Sequence, residues 1–253
     1  MELGAIFVFM LVLMRITGLM LFVPLFAHSS IPVIARVGFA SAFALMVFPM
    51  VEFEYVLPNS LGLLILWMAK ELIVGLCMGL AVRMLFFMLD LAAHVLTVEI
   101  GLMPGAEFNP SSGGFNPLGS IMYFFGMMLF LMGSEYDILR TYINSYQVAP
   151  IGYLGVNAYS AETIVLRSVG VFKIGILIAA PVIAVNFLVN LVFAVLGKAV
   201  PKLNVFILSF SVRIICGTTV LAFSIVLIVQ YVMNYLHETP EMMLRFIPFR
   251  PSF

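Results

Sequence analysis

The 253 residues of the chain are 64% hydrophobic and only 9% charged, whereas soluble domains average roughly 45–50% apolar and about 25% charged residues. Lysine plus arginine and aspartate plus glutamate both total 12, so the charge balance does not indicate a nucleic-acid partner. The composition excludes an ordinary water-soluble domain. It predicts an all-α protein whose surroundings are membrane lipid and other apolar helices.

Long apolar runs predict the helices. Residues 174 to 197 and 214 to 236 contain no charged residue, and each run exceeds the roughly 20 residues that a helix needs to cross the hydrocarbon core. Residues 1–253 are therefore predicted to form a single membrane domain of about six to seven long helices. The other candidate helices are charge-poor runs at about 4 to 26, 33 to 50, 55 to 82, 84 to 103 and 119 to 134.

More polar segments connect these runs. Residues 27 to 35 include Pro32 and predict a short turn between the first two helices, which form a hairpin. Residues 135 to 168 predict a connection with a short helix near Glu162 to Arg167. The final residues, 237 to 253, alternate charged and apolar side chains. They predict an amphipathic tail that lies in the membrane interface or docks on a partner.

Residues 104 to 119 (PGAEFNPSSGGFNPLG) are rich in proline and glycine and contain two Phe-Asn-Pro triplets, so neither helix nor strand is expected there. Irregular backbone at membrane depth is tolerated only inside protein or along a water-filled cavity. The segment therefore predicts a pore constriction or plug with Phe108 and Phe115 as apolar contacts, and an ordinary solvent loop is the equal alternative. The candidate plug residues are Met103, Pro104, Gly105, Phe108, Asn109, Pro110, Gly113, Gly114, Phe115 and Pro117.

Ionisable residues within the apolar runs form a second set of candidates, because they are costly in a membrane unless paired or hydrated. Asp90 and His94 are four residues apart on one helical face, and Arg83 lies seven residues before Asp90. They predict either a proton relay or polar contacts between helices or subunits, and we favour the contacts. The candidate assembly contacts are Lys70, Glu71, Arg83, Asp90, His94, Glu99, Asn186, Asn190, Asn204 and Arg213.

Three smaller features complete the residue-level predictions. Lys70 and Glu71 are adjacent, so each is expected to meet a different neighbour. Gly75 and Gly79 are four residues apart and predict the close approach of another helix. The chain lacks the common zinc-helix, nucleophile-elbow and nucleotide-loop motifs, so we predict no catalytic residue, metal or cofactor and no enzymatic activity.

Two stretches make the sequence resemble a known family. Residues 201 to 213 (PKLNVFILSFSVR) are similar to the family stretch P-x-LNVF-x-L-G-F-P-L-K, from which Ser209, Ser211 and Arg213 depart. The stretch EIGLMPGAEFNPSSGG, which begins at Glu99, is similar to Q-M-G-L-G-F-A-x-x-F-D-P, with Asn109 in place of the aspartate. The chain thus resembles the FliR subunit of the flagellar type III export gate, which is related to the SctT subunit of injectisomes.

The resemblance implies a function and a set of partners. One copy would assemble with several FliP-like and FliQ-like subunits, close to FlhB-like and FlhA-like proteins, in the bacterial inner membrane at the flagellar basal body. This helical gate would pass unfolded flagellar proteins, and its charges would be buried between subunits. The alternative is a proton-coupled secondary transporter that uses Asp90, His94 and Glu99, although the two related halves typical of transporters are not found.

Overall fold

A computed structural model describes residues 2–27, 31–51, 60–102, 116–133, 135–155, 157, 159–200 and 204–249. All regular secondary structure in these residues is helical. The predicted fold class, an all-α membrane protein, is confirmed, because apolar helices of membrane-spanning length recur along the chain.

The described residues from 2 to 102 contain four α-helices. Helix α1 is Glu2–Phe22 and is followed by the short α2, Pro24–Ala27. Helix α3 is Val33–Val47, extended by one 3-10 turn. Helix α4, Leu61–Ile100, is 40 residues long. The prediction of two separate helices at 55 to 82 and 84 to 103 is therefore wrong. Arg83 lies between the two runs, and arginine is a good helix former, so the helix continues through it.

The part of residues 116 to 249 that the structure describes contains five more helices: α5 (Pro117–Gly133), α6 (Glu135–Val148), α7 (Tyr159–Ala199), α8 (Val205–Phe223) and α9 (Ile225–Arg245). The short helix predicted near Glu162 to Arg167 is the beginning of the 41-residue α7. The apolar run at 214 to 236 is broken at Ser224, where α8 and α9 meet at a bend of 51°. The Ser224 hydroxyl donates to the Val220 carbonyl oxygen at 2.8 Å, and such back-bonding bends helices.

Four helical stretches are long and apolar enough to cross a membrane by themselves. Two pairs of helices, α5 with α6 and α8 with α9, are each joined at a bend, and each pair is long and apolar enough when it is counted as one span. The described residues therefore contain four to six candidate spans. Helix α4 is about 60 Å long at 1.5 Å per residue, roughly twice the thickness of the hydrocarbon core. The single stretches are Gly4–Phe22, Val33–Met50, Leu61–Ile100 and Tyr159–Ala199.

The chain divides into two compact units. The first contains Met1–Leu85, Phe130–Ser168 and Tyr235–Phe253, and the second contains Phe86–Leu129 and Val169–Asn234. A single membrane domain over residues 1–253 stays a prediction.

In the first unit, α1 and α4 are in backbone contact. A Cβ atom added at Gly75 would overlap the Arg15 carbonyl oxygen, and one added at Gly79 would lie 2.6 Å from the Leu19 carbonyl oxygen. The close helix approach predicted from the two glycines is therefore confirmed, and the helix that approaches is α1.

The end of α9 also packs inside the first unit. The side chains of Met242, Met243, Phe246 and Ile247 are buried. The Ser160 hydroxyl donates to the Ile247 carbonyl oxygen at 2.7 Å. Most of the predicted amphipathic tail thus continues α9 and places its apolar side chains in the core of its own unit.

In the second unit, residues 86–100 of α4 pack against three helices through small residues. A Cβ added at Gly126 of α5 would meet Leu89, one at Gly175 of α7 would meet Leu91, and one at Gly217 of α8 would meet Ile100. The far end of α4 is therefore held by α5, α7 and α8 at once.

Candidate functional site: polar groups along helix α4

A buried charged cluster lies in the first unit, where α1, α4 and the end of α6 meet. The Arg15 side chain is fully buried, and its Nε donates to Glu71 Oε2 at 2.6 Å. Its two terminal nitrogens donate to Ser145 Oγ at 2.9 Å and to the Ala149 carbonyl oxygen at 2.8 Å. The guanidinium lies 3.9 Å from the centre of the Tyr146 ring. All three nitrogens of the Arg15 guanidinium and one of its faces are thus engaged within the chain.

Lys70 completes this cluster. Its Nζ lies 3.1 Å from Glu71 Oε1 and donates to the Pro150 carbonyl oxygen. Two cations and one carboxylate leave a formal excess of one positive charge. Ala149 and Pro150 directly follow the last residue of α6, and the C-terminal end of a helix carries about half a negative charge. The helix end therefore offsets part of the excess.

Arg15 was not among the predicted site residues, because the first apolar run is charge-poor and its one arginine has no local partner in the sequence. The signal was present, since a lone cation in one apolar run and a lone carboxylate in another are expected to pair. Lys70 and Glu71 do have different neighbours, Pro150 and Arg15. They also contact each other, because long side chains at adjacent positions can converge.

Asp90 and His94 have the opposite environment, in the second unit. Both side chains are exposed on α4, on the same stripe as Phe87 and Val98. Within the described residues, no hydrogen bond or ion pair joins Asp90 to His94. Arg83, two turns earlier, is half-buried. The stripe faces away from the side of α4 that carries the buried Leu89, Ala93 and Leu96.

The end of α4 is a second polar centre. Gly101 has φ +81°, and the N–H groups of Gly101 and Leu102 both donate to the Thr97 carbonyl oxygen, at 3.1 and 3.0 Å. This is a helix-ending turn that favours glycine. The Thr97 hydroxyl lies 2.8 Å from Asn116 Oδ1, which also accepts from Gly119 N at 2.9 Å. Asn116 therefore caps α5, and Pro117 occupies the first helical position, where proline is favoured.

The remaining candidate residues occupy separate places. The Asn186 amide is buried and donates to the Glu99 carbonyl oxygen, whereas Asn190 is exposed one turn later on α7. Asn204 caps α8 by accepting from Ile207 N at 3.5 Å. Arg213 is half-buried on α8. The plug candidates that lie outside the described residues are Met103, Pro104, Gly105, Phe108, Asn109, Pro110, Gly113, Gly114 and Phe115.

Comparison with known proteins decides the family. The profile of the family described as "Bacterial export proteins, family 1" matches residues 6–239. The chain belongs to this family. The predicted resemblance is confirmed. As a member of this family, the protein is a component of a bacterial flagellar or type III export apparatus. Several of its helices are apolar and long enough to cross a membrane.

Named relatives in this family come from distant bacteria. The "Flagellar biosynthetic protein FliR" of Bacillus subtilis is 27% identical over 252 residues, which cover 93% of this chain and 92% of that protein. The FliR protein of Aquifex aeolicus is 25% identical, with 88% and 87% covered. The "Yop proteins translocation protein T" of Yersinia pestis is 24% identical, with 84% and 80% covered. Both flagellar and type III secretion proteins are thus similar over most of their length.

Proposed function

We propose that the chain is a core subunit of the flagellar type III export gate in the bacterial inner membrane, at the basal body. With FliP-like and FliQ-like subunits, and close to FlhB-like and FlhA-like proteins, it forms a channel for unfolded flagellar proteins. Two findings support this: the family match over residues 6–239, and the similarity of full-length proteins named for flagellar biosynthesis.

The observation that carries assembly with partners is the exposed stripe on α4. A carboxylate at the centre of a membrane helix costs about 2.5–3.5 kcal/mol on insertion scales unless it is paired or hydrated. The opposite face of α4 is already packed, with Leu89, Ala93 and Leu96 buried. Within the described residues nothing pairs with Asp90 or His94, so we infer that helices of other gate subunits supply their neighbours.

Co-purification tests this proposal. When the chain is co-expressed with FliP-like and FliQ-like subunits from the same bacterium, one stable complex is expected after detergent extraction. The chain expressed alone serves as the control and is expected to be lost or aggregated. A chain that is stable alone as a homo-oligomer, with no affinity for these subunits, would contradict the proposal.

We also propose that the loop that begins at Pro104 plugs the closed channel, with Phe108 and Phe115 as apolar contacts. The irregular segment predicted for residues 104 to 119 ends before Pro117, which begins α5. Support comes from the proline-rich and glycine-rich sequence and from Asn116 and Pro117, which fix the start of α5.

Ion conductance of the assembled gate tests the plug. Shortening the loop between Gly105 and Gly114 is expected to let the gate leak ions in planar bilayers while it still assembles. Phe108→Ala and Phe115→Ala are expected to leak less than the shortened gate. Phe124→Ala is the matched control, since Phe124 is 71% exposed on α5 and is expected to leave conductance unchanged. Shortened gates that stay as tight as the native gate would rule out the plug.

A further inference from the structure

Helix α6 exposes a polar face. Asp137, Arg140, Asn144 and Gln147 are exposed, and residues three or four positions apart share one face of a helix. These four side chains therefore form one stripe, the α6 stripe. The exposed side chains of α5, by contrast, are all apolar: Ile121, Phe124, Met128, Leu131 and Met132. The lipid and apolar helices that suit the exposed face of α5 do not suit that of α6.

The opposite face of α6 packs on the middle of α1. The Tyr142 hydroxyl donates to the Val12 carbonyl oxygen at 3.3 Å, and Arg15 donates to Ser145 Oγ at 2.9 Å. The candidate span Gly4–Phe22 has residue 13 at its centre, so both contacts lie within about 3 Å of mid-span at 1.5 Å per residue. Helix α6 thus lies beside a candidate membrane span and not beyond its end.

The whole α6 stripe lies at membrane depth. Tyr142 is midway between Asp137 and Gln147, so each end of the stripe is about 7.5 Å from Tyr142 along the helix axis. Half of the hydrocarbon core is about 15 Å thick. Charged side chains at this depth almost always face a bundle interior or a water-filled cavity. Lipid therefore does not cover Asp137 and Arg140.

Water fits the α6 stripe better than a partner helix does. Every exposed side chain described on α6 carries a polar group, whereas the stripe of Asp90 and His94 on α4 also contains Phe87 and Val98. The cores of protein–protein interfaces are depleted of charged residues. The charges of Asp137 and Arg140 also cancel, so the α6 stripe has no net charge with which to attract a charged partner.

We infer that the α6 stripe lines the water-filled path of the export gate and touches the unfolded polypeptide as it passes. The inference rests on the proposed function, and it is independent of the plug. A polar wall gives apolar segments of a passing chain no surface on which to bury area. A wall without net charge favours neither acidic nor basic segments. Polypeptides of varied sequence therefore slide along it.

The reaction of introduced cysteines with a membrane-impermeant methanethiosulfonate measures water access in native membranes. Cys77→Ala and Cys216→Ala first remove the native thiols, and Asn144→Cys and Gln147→Cys are then compared with Phe124→Cys. The control position is 71% exposed on the apolar face of α5. It is expected to react at least about tenfold more slowly, because only the thiolate reacts and apolar surroundings disfavour the thiolate. Equal rates at the three positions would overturn the inference.

An arrested polypeptide tests whether this water belongs to the export path. An exported flagellar protein fused to a stably folded domain stops when that domain reaches the gate. Labelling of Asn144→Cys and Gln147→Cys is then expected to fall towards the rate of Phe124→Cys, because the arrested chain covers the α6 stripe. The same exported protein without the folded domain is the control and leaves labelling fast. Labelling that stays fast beside the arrested chain would place the stripe on another water-exposed surface and would overturn the inference.

Co-purification separates this inference from the proposed function. If the complex with FliP-like and FliQ-like subunits forms but the α6 stripe reacts no faster than Phe124→Cys, only the inference fails. If no complex forms, the proposed function fails and the inference fails with it. A complex in which the stripe reacts rapidly, and is protected by the arrested chain, supports both.

Discussion

Helix α4 carries two pairs of polar residues that have opposite environments. Lys70 and Glu71 are buried, and the chain itself supplies their partners from α1 and from the end of α6. Asp90 and His94, on the same helix, are exposed. Both pairs look alike in the sequence, as charges within apolar runs. The first pair is therefore expected to govern how the chain folds, and the second to govern what it assembles with.

The largest expected effect comes from Glu71→Ala. Removing the carboxylate leaves the Arg15 guanidinium and the Lys70 ammonium buried with no counter-charge, and breaking a buried ion pair in this way costs about 3–5 kcal/mol. The measurement is thermal unfolding of the detergent-extracted chain together with its partners. The triple variant Arg15→Met, Lys70→Met and Glu71→Leu is expected to regain part of the stability, because it leaves no charge of the cluster unpaired. If Glu71→Ala unfolds at the native temperature, the cluster does not hold the fold.

A smaller effect is expected from Gly75→Ala. The added methyl would overlap the Arg15 carbonyl oxygen, so α1 and α4 must separate, and overpacking of this kind costs about 1–3 kcal/mol. Gly62→Ala is the matched control on the same helix, since nothing lies within 4 Å of the added atom. Thermal unfolding should separate the two variants clearly. Equal stability of both would mean that the contact between α1 and α4 is looser than described.

The smallest effect on the chain itself is expected from Asp90→Asn. This side chain is exposed and has no partner within the described residues, so the melting temperature should stay within a few degrees of the native value. The yield of complex with FliP-like and FliQ-like subunits should nevertheless fall, because the carboxylate is absent from the interface. Glu71→Gln is the informative contrast, since it should lower both quantities. If Asp90→Asn gives the same yield of complex as the native chain, the stripe is not an interface with these subunits.

Much of the fold could be predicted from composition and from helix-breaking residues. Long apolar runs predicted the helices, and Gly75 with Gly79 predicted a close helix approach. The lengths of α4 and α7 could not be predicted, because a single charge such as Arg83 ends an apolar run without ending a helix. The bend at Ser224 lies within an uncharged run, and a count of apolar residues does not detect it.

The polar centres were less predictable than the helices. Arg15 and Glu71 are 56 residues apart, so their pairing depends on the packing of α1 on α4 and on no local pattern. The role of Asn116 was accessible, since an asparagine directly before proline is a common helix start. The bond between Asn116 and Thr97 could not be predicted, because it forms only when the end of α4 and the start of α5 are neighbours in space.

The length of α4 bears on how cells handle a newly made chain. Even at a tilt of about 40°, the upper end of the usual range, its 40 residues exceed the hydrocarbon core, and Leu61 near one end is 77% exposed. A chain inserted without its partners therefore leaves apolar helix in water, together with an uncovered carboxylate. Such a chain is expected to be degraded by membrane proteases. The steady-state amount of this protein should thus follow the supply of its partners more closely than its own rate of synthesis.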